Sequence, residues 1–276
     1  MEQVLKTMLE NVRAKTPLVH NITNYVTVND VANVLLAAGG SPIMSDDADD
    51  VEDITSICGG LNINIGTLNK NTIPSMFLAG KKANELGHIV LLDPVGAGAS
   101  RLRTDTANRL MQEVRFDAVR GNISEIKTLC TGSGSTKGVD ADAVDAVTEA
   151  NLDDGVQLVK TFAQRAGCIV AVTGAIDLVS DGERCWCIRN GRAEMSRITG
   201  TGCQLSALTT AFLVANPEHK LEAAAAAVCM MGLAGEIGWA NMQPGDGNST
   251  YRNRIIDAIF NMTGDALEEG AKYELR

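Results

Sequence analysis

Two uninterrupted apolar runs constrain this chain most, His88-Ile89-Val90-Leu91-Leu92-Asp93 and Cys168-Ile169-Val170-Ala171-Val172-Thr173. A strand with one wet face alternates apolar and polar residues. A strand without that alternation is expected to be buried on both faces, as in a parallel sheet covered by helices on each side. Segments of helical spacing precede both runs. One is Ile73 to Leu86, closed by Gly87. The other is Asp154 to Ala166, with Val156, Leu158, Val159 and Phe162 on its apolar side.

The same alternation runs through the rest of the sequence. Helical spacing over Gln3 to Ala14 ends at Pro17, and Leu18 to Thr23 reads as a short strand running into Asn24. Asn29 to Ala38 reads as a helix closed by Gly39-Gly40. Ser41-Pro42-Ile43-Met44 follows as a second short strand, before an acidic loop, Asp46 to Asp50. A helix near Val51 to Cys58 leads to the alternating strand Leu61 to Gly66. Thr104 to Val114 is a helix, Ala118 to Gly121 a strand, and Asn122 to Cys130 a helix. Asp177 to Ser180 and Arg184 to Ile188 read as a hairpin across Asp181-Gly182, and Asn190-Gly191 offers a second such turn. Helices Gln204 to Ala215, Leu221 to Met242, Tyr251 to Met262 and Gly264 to Lys272 complete the chain. The fold class is α/β, with a central, mostly parallel β-sheet and helices on both faces. Without repeats or a linker rich in proline, glycine or serine, a single domain over residues 1–276 is expected, with Thr131 to Gly138 as the weakest candidate boundary.

Composition narrows the partners. A formal net charge of −10 argues against a nucleic-acid surface, which needs basic patches, but leaves room for a small phosphorylated ligand. The seven cysteines show no disulfide spacing. The first residues carry no basic region followed by an apolar run. The longest uncharged apolar stretch, Ala223 to Gly235, is 13 residues, short of the roughly 20 that span a bilayer. A reduced, cytoplasmic protein with no membrane segment is expected.

In open α/β sheets, ligands bind outside the carboxyl ends of the strands. Those ends read Asn24, Met44-Ser45, Gly66, Asp93-Pro94, Arg120-Gly121-Asn122 and Thr173-Gly174. The last hairpin is expected to run into Thr199-Gly200-Thr201-Gly202-Cys203. In this motif two glycines permit close backbone approach. The helix behind them leaves its first N–H groups without partners, an arrangement that attracts phosphate. Cys203 stands at that helix end. A second glycine-rich stretch, Gly132 to Gly138, lacks the Gly-Lys-Ser/Thr order of a P-loop and follows a helix, so it reads as a surface loop.

These residues resemble the hydroxyethylthiazole kinases of the ribokinase-like superfamily. The likeness is carried by Leu18 to Asn24, Ser41 to Met44, Leu61 to Leu68, Leu92 to Ala99, Val119 to Asn122 with Glu125-Ile126, Val172 to Gly174, and Thr199 to Cys203, in family order. Thr-Gly-x-Gly alone marks only the superfamily. The whole set, with cysteine at residue 203 where most ribokinase-like kinases carry aspartate, is specific to the family.

The resemblance implies transfer of the γ-phosphoryl group of ATP to the hydroxyl of 4-methyl-5-(2-hydroxyethyl)thiazole, with Mg2+, in a homotrimer whose sites lie at subunit boundaries. It implies that the backbone at Gly200, Thr201, Gly202 and Cys203 receives charge on the transferring group. By the same likeness Asp93 and Glu125 hold the metal, Arg120 and Thr173 contact ATP, and Asn24, Met44, Gly66 and Gly200 line the substrate side. Several positions have a plainer reading beside this one. Asp93 also fits a strand-end cap, Met44 a core residue, Arg120 a surface salt bridge, and Thr173 a buried strand end. Glu125 completes a capping box with Asn122, and His20 reads as structural. A helix end lowers a thiol pKa, which suits Cys203 to assist proton removal in a modest way, since a loose transition state asks little of a base. Another ribokinase-like kinase, for hydroxymethylpyrimidine or a sugar, and a non-catalytic nucleotide-binding protein remain as alternatives.

Overall fold

The computed structural model describes residues 3–131 and 146–276, so the glycine-rich stretch 132–138 lies outside the described residues. Among the described residues nine strands form one sheet, in the order β2-β1-β3-β4-β5-β6-β7-β8-β9. Six of them are parallel: β1 (Leu18–Ile22), β2 (Ser41–Met44), β3 (Gly60–Asn64), β4 (Ile89–Asp93), β5 (Ala118–Asn122) and β6 (Ile169–Thr173). Three antiparallel strands extend one edge: β7 (Asp177–Ser180), β8 (Cys185–Ile188) and β9 (Tyr273–Leu275).

Strand β4 shows why its apolar run is unbroken. Ile89 and Leu91 enter one core while Val90 and Leu92 enter another on the opposite face. The first core is covered by α1 (Val4–Lys15), α2 (Val28–Ala38), α8 (Thr201–Ala215), α9 (Lys220–Ala240), α10 (Asn248–Asn261) and α11 (Gly264–Gly270). The second is covered by α3 (Val51–Ile57), α4 (Thr72–Leu86), α5 (Arg101–Glu113), α6 (Ile123–Thr131) and α7 (Leu152–Ala166). Helix α9 is long and apolar enough to cross a membrane by length and composition alone, yet 78% of its most apolar window is buried inside the fold. It is apolar on every side because protein surrounds it.

The antiparallel edge differs from the sequence expectation. Asn190-Gly191 does not start a second hairpin, and no hairpin leads into Gly200; a 3-10 segment, Ala193–Arg197, precedes it instead. The partner of β8 is β9, from the far end of the chain. The Asn190 side chain holds it there, donating to the Gly270 carbonyl and accepting from the Lys272 N–H, both over 2.9 Å or less. The last helix therefore stops at Gly270, before Lys272. Helix α5 begins at Arg101, earlier than the expected Thr104, because Ser100 caps it by accepting from the Arg103 N–H.

Strand β1 lies between β2 and β3. The chain leaves β1 first toward one edge and then returns past it toward the other. Such a switch opens a crevice at the carboxyl ends of the two diverging strands. The functional candidates lie in and beside that crevice.

Candidate active site

The strand ends converge on the first turn of α8. Gly200 precedes that helix with a φ of 89°, in the left-handed region that glycine tolerates. Its carbonyl accepts the first helical bond, from the Gln204 N–H. The N–H groups of Thr201, Gly202 and Cys203 come before any intrahelical donor position. Gly202 lies against the Arg120 guanidinium: a Cβ built there would stand 2.5 Å from Nη1. The glycine thus lets an arginine from β5 reach the helix end.

Asp93, the last residue of β4, is fully buried. Its Oδ2 accepts from Asn64 Nδ2 and from Ser206 Oγ, each at 2.8 Å. Its Oδ1 is buried without a partner. Arg120 Nη2 donates to Thr173 Oγ1 at 2.6 Å, while its Nε has no partner. Arg120 is buried, so the surface salt-bridge reading does not apply to it. Burial raises the Asp93 carboxyl above its usual range, against the opposing pull of Arg120, Ser206 and Asn64.

Glu125 sits one strand further on. Its Oε2 accepts from the Asn122 N–H at 2.8 Å, and the Glu125 N–H donates to Asn122 Oδ1 at 2.9 Å, so the capping box is made. Oε1 accepts from the Gly96 N–H at 2.7 Å. Burial, reinforced by the Asp93 charge, pushes this carboxyl up to about 7.

On the other side of Asp93, Asn24 Nδ2 donates to Asn64 Oδ1 and to Cys203 Sγ, both at 3.1 Å. The Gly66 N–H donates to the same Asn64 oxygen at 2.9 Å. Met44 packs against the small core that holds Cys203 and lines a cavity of about 160 Å3 with Asn64, Thr67 and Tyr25. This cavity opens at the ends of β1, β2 and β3. The Cys203 thiol does not follow the expectation for a helix end. Burial first, and the Asp93 charge second, raise its pKa above the ordinary value, outweighing the bonds from Asn64 and Asn24. His20 bonds through one ring nitrogen with Thr55 Oγ1 and through the other with the Ser45 carbonyl, both at 2.9 Å. It holds β1 to its neighbours.

The structure therefore brings Asn24, Gly66, Asp93, Arg120, Thr173, Gly200, Thr201, Gly202 and Cys203 into one connected site. Met44 stands at its cavity side and Glu125 at its far side. The sequence reading assigned nothing to Asn64 or Ser206, which between them hold Asp93. The available signal for Ser206 was a hydroxyl one helical turn beyond Gly202 in an otherwise apolar run. The signal for Asn64 was an amide at the end of a buried strand. For a cation, the unpartnered buried Oδ1 of Asp93 is a fitting donor. Both Glu125 oxygens already accept a backbone N–H but are acceptors with lone-pair capacity left. Among the described residues no group of three or more His, Cys, Asp or Glu side chains is placed to hold a metal. That donor set suits Mg2+, which takes one or two carboxylates with waters and phosphate oxygens.

Comparisons with known proteins give the family and the fold. The model of the Hydroxyethylthiazole kinase family matches residues 9–265. A hydroxyethylthiazole kinase of Clostridium acetobutylicum is 57% identical over 271 residues, covering 98% of this chain and 99% of that protein. The structure of a hydroxyethylthiazole kinase protein from Pyrococcus horikoshii superposes with a TM-score of 0.87 at 33% identity, covering 99% of this chain and 98% of that one. A pyridoxal kinase from Staphylococcus aureus in complex with AMP-PCP shares the fold at a TM-score of 0.62 and 14% identity, over 94% of this chain and 97% of its own. The ribokinase-like architecture, the strand-end site and the near full-length matches lead to one conclusion: this chain belongs to the hydroxyethylthiazole kinase family.

Proposed function

We propose that this protein phosphorylates the primary hydroxyl of 4-methyl-5-(2-hydroxyethyl)thiazole with ATP, the reaction of thiazole salvage for thiamine. The observation that carries this reading is the meeting of the α8 N-terminus with Asp93 and Arg120 on one side and Asn24 on the other. The family membership supplies the acceptor alcohol.

Phosphoryl transfer needs positioning and neutralisation of charge more than covalent help. Backbone N–H groups at Thr201, Gly202 and Cys203 receive charge that develops on the transferring group, in a site that holds them fixed beforehand. Arg120 and Thr173 bind ATP phosphate oxygens, with the planar guanidinium held by its bond to the threonine hydroxyl. Asp93 and Glu125 hold Mg2+, which when bound neutralises phosphate charge. Asn24, Met44, Gly66 and Gly200 orient the thiazole alcohol. The Cys203 thiol, neutral at pH 7 in its buried setting, accepts a hydrogen bond from Asn24 and contributes little as a base. No covalent intermediate is required. The same reading takes the chain as one kinase domain over residues 1–276, working as a cytoplasmic homotrimer with sites at subunit boundaries and no nucleic-acid or membrane partner.

The test is ATP consumption with hydroxyethylthiazole, hydroxymethylpyrimidine or ribose offered in turn. Turnover with the thiazole alcohol well above the other two is expected. Preference for the pyrimidine or the sugar would reassign the acceptor, and nucleotide binding without turnover on any of them would make this a binding protein.

A further inference from the structure

Arg103 lies in the first turn of α5, away from the strand ends, yet its guanidinium reaches back to two of them. Nη2 donates to the Gly66 carbonyl at 2.7 Å and Nη1 to the Val95 carbonyl at 3.3 Å. One planar fork thus joins the loop after β3 to the loop after β4. The route is possible only because residue 96 is glycine. Gly96 has a φ of 72°, and a Cβ there would stand 2.2 Å from Nη1 and 3.1 Å from Cδ of Arg103.

Each loop is also gripped from its other side. The Gly66 N–H is held by Asn64 Oδ1, and that amide continues to Asn24 and Asp93. The Gly96 N–H is held by Glu125 Oε1. Arg103 closes the band between these two chains of bonds. The peptide it fixes runs from Gly66 into Thr67, which lines the cavity at the ends of β1, β2 and β3 and accepts from the Tyr25 N–H.

We infer that Arg103 is a positioning residue: it clamps the acceptor-side loop to the loop after β4 and so sets where the alcohol sits relative to Asp93 and the α8 N-terminus. Its charge is directed at carbonyls, a geometry that a guanidinium satisfies in pairs and an ammonium does not. The nucleotide-side pair, Arg120 and Thr173, comes from β5 and β6; Arg120 meets this band at Asp93 and acts through its charge on Glu125, both away from the Gly66 loop. The clamp therefore acts on the acceptor more than on ATP. The kinetic part of this inference rests on the proposed kinase function. The loop-clamping part does not.

The experiment compares wild type with Arg103→Ala and Arg103→Lys in the full chain. Amide hydrogen exchange over residues 65–70 and 94–100 is expected to quicken in both variants, with exchange in strands β3 and β4 unchanged. Unaltered exchange in both loops overturns the clamp whether or not the protein phosphorylates the alcohol. In turnover, kcat/KM for hydroxyethylthiazole is expected to fall by about tenfold to a hundredfold, in kcat as well as KM, as for a misplaced reactant. ADP affinity is expected to stay within about threefold, since the phosphate contacts are untouched. Free guanidinium at millimolar concentration should restore part of the Arg103→Ala activity, and methylammonium should not. Loss of ADP affinity with an unchanged alcohol KM would make Arg103 a phosphate ligand and reject the inference. Failure of wild type to use the alcohol would instead reject the functional reading, leaving the exchange experiment to decide the clamp. Should Arg103→Ala not fold, Arg103→Lys keeps the stem and the charge and carries the same test.

Discussion

Asp93 Oδ2 and Arg120 Nη1 stand 3.8 Å apart, inside ion-pair range and beyond hydrogen-bond reach. The two charges attract without closing on each other. Each keeps an unpartnered buried atom, Oδ1 on the acid and Nε on the arginine. Asp93→Asn keeps the shape and removes the charge. Turnover should fall by about a hundredfold or more, as when a preorganised charge is lost from such a site. Stability should not fall with it. The raised carboxyl pKa means that burial outweighs the pull of Arg120, so by linkage the charged form costs stability in the fold and a neutral side chain is the less costly occupant above the carboxyl pKa. Thermal melting at pH 8 should give a midpoint equal to wild type or higher, and a clear drop would mean that the Arg120 attraction dominates.

Glu125 makes stability depend on pH in a stated direction. Its carboxyl is pushed from 4.5 up to about 7 in the fold. A raised pKa contributes stability that is fully present below the unfolded value and is lost as pH rises through the folded one. The ligand-free protein should thus lose up to about 3 kcal/mol from this group between the two values. Calorimetry at a series of pH values should show that slope and its flattening in Glu125→Gln. If Glu125 holds Mg2+, apparent magnesium affinity in the wild type should strengthen as pH rises through 7, and a pH-independent affinity would leave the residue with its capping role alone.

Cys203→Ala should reduce kcat by no more than about tenfold, less than a true general base supplies. Burial and the Asp93 charge keep the thiol protonated near neutrality, so the pH–rate profile of the variant should follow that of wild type. Complete loss of turnover with ADP binding intact would reject this modest role.

The two glycines of the α8 turn should fail in different ways. Gly202→Ala places a methyl group against Arg120 Nη1. It should displace the guanidinium from Thr173 and raise the KM for ATP by about tenfold, the usual consequence of misplacing one phosphate contact. Gly200→Ala adds a Cβ at positive φ, 2.4 Å from Thr27 Cγ2. It should cost about 1–3 kcal/mol of stability, as strained backbone does. Kinetics and denaturant unfolding on both variants separate the effects; a Gly200→Ala protein as stable as wild type would show that the turn relaxes freely.

Much of the frame was legible because its signals are local. The unbroken runs of β4 and β6 reveal two-sided burial from a few residues each, and glycines and polar residues mark the strand ends. What was hidden depends on residues far apart in the chain. The three residues of β9 carry no strand signal of their own; they become a strand because Asn190 and β8 hold them. The helix end beside Cys203 is visible in the sequence, but the burial and the Asp93 charge that reverse its effect are not. Asn64, Ser206 and Arg103 look ordinary in sequence and gain meaning only from the atoms they meet.

From β1 onward to β6, apart from the detour to β2, the strands cross the sheet in chain order. Residue number therefore works as a ruler along the site: on the proposed function the acceptor side is drawn mostly from early residues, with Gly200 the late exception, and the nucleotide side from later ones. Helix α8 returns across the ruler and ties its halves together through Asn24–Cys203 and Asp93–Ser206. On that reading, recombination between α5 and β5 would take most of the acceptor side from one parent and the nucleotide side, with Gly200, from the other. The compatibility of such a hybrid would be decided at those two contacts, long before the rest of the seam mattered.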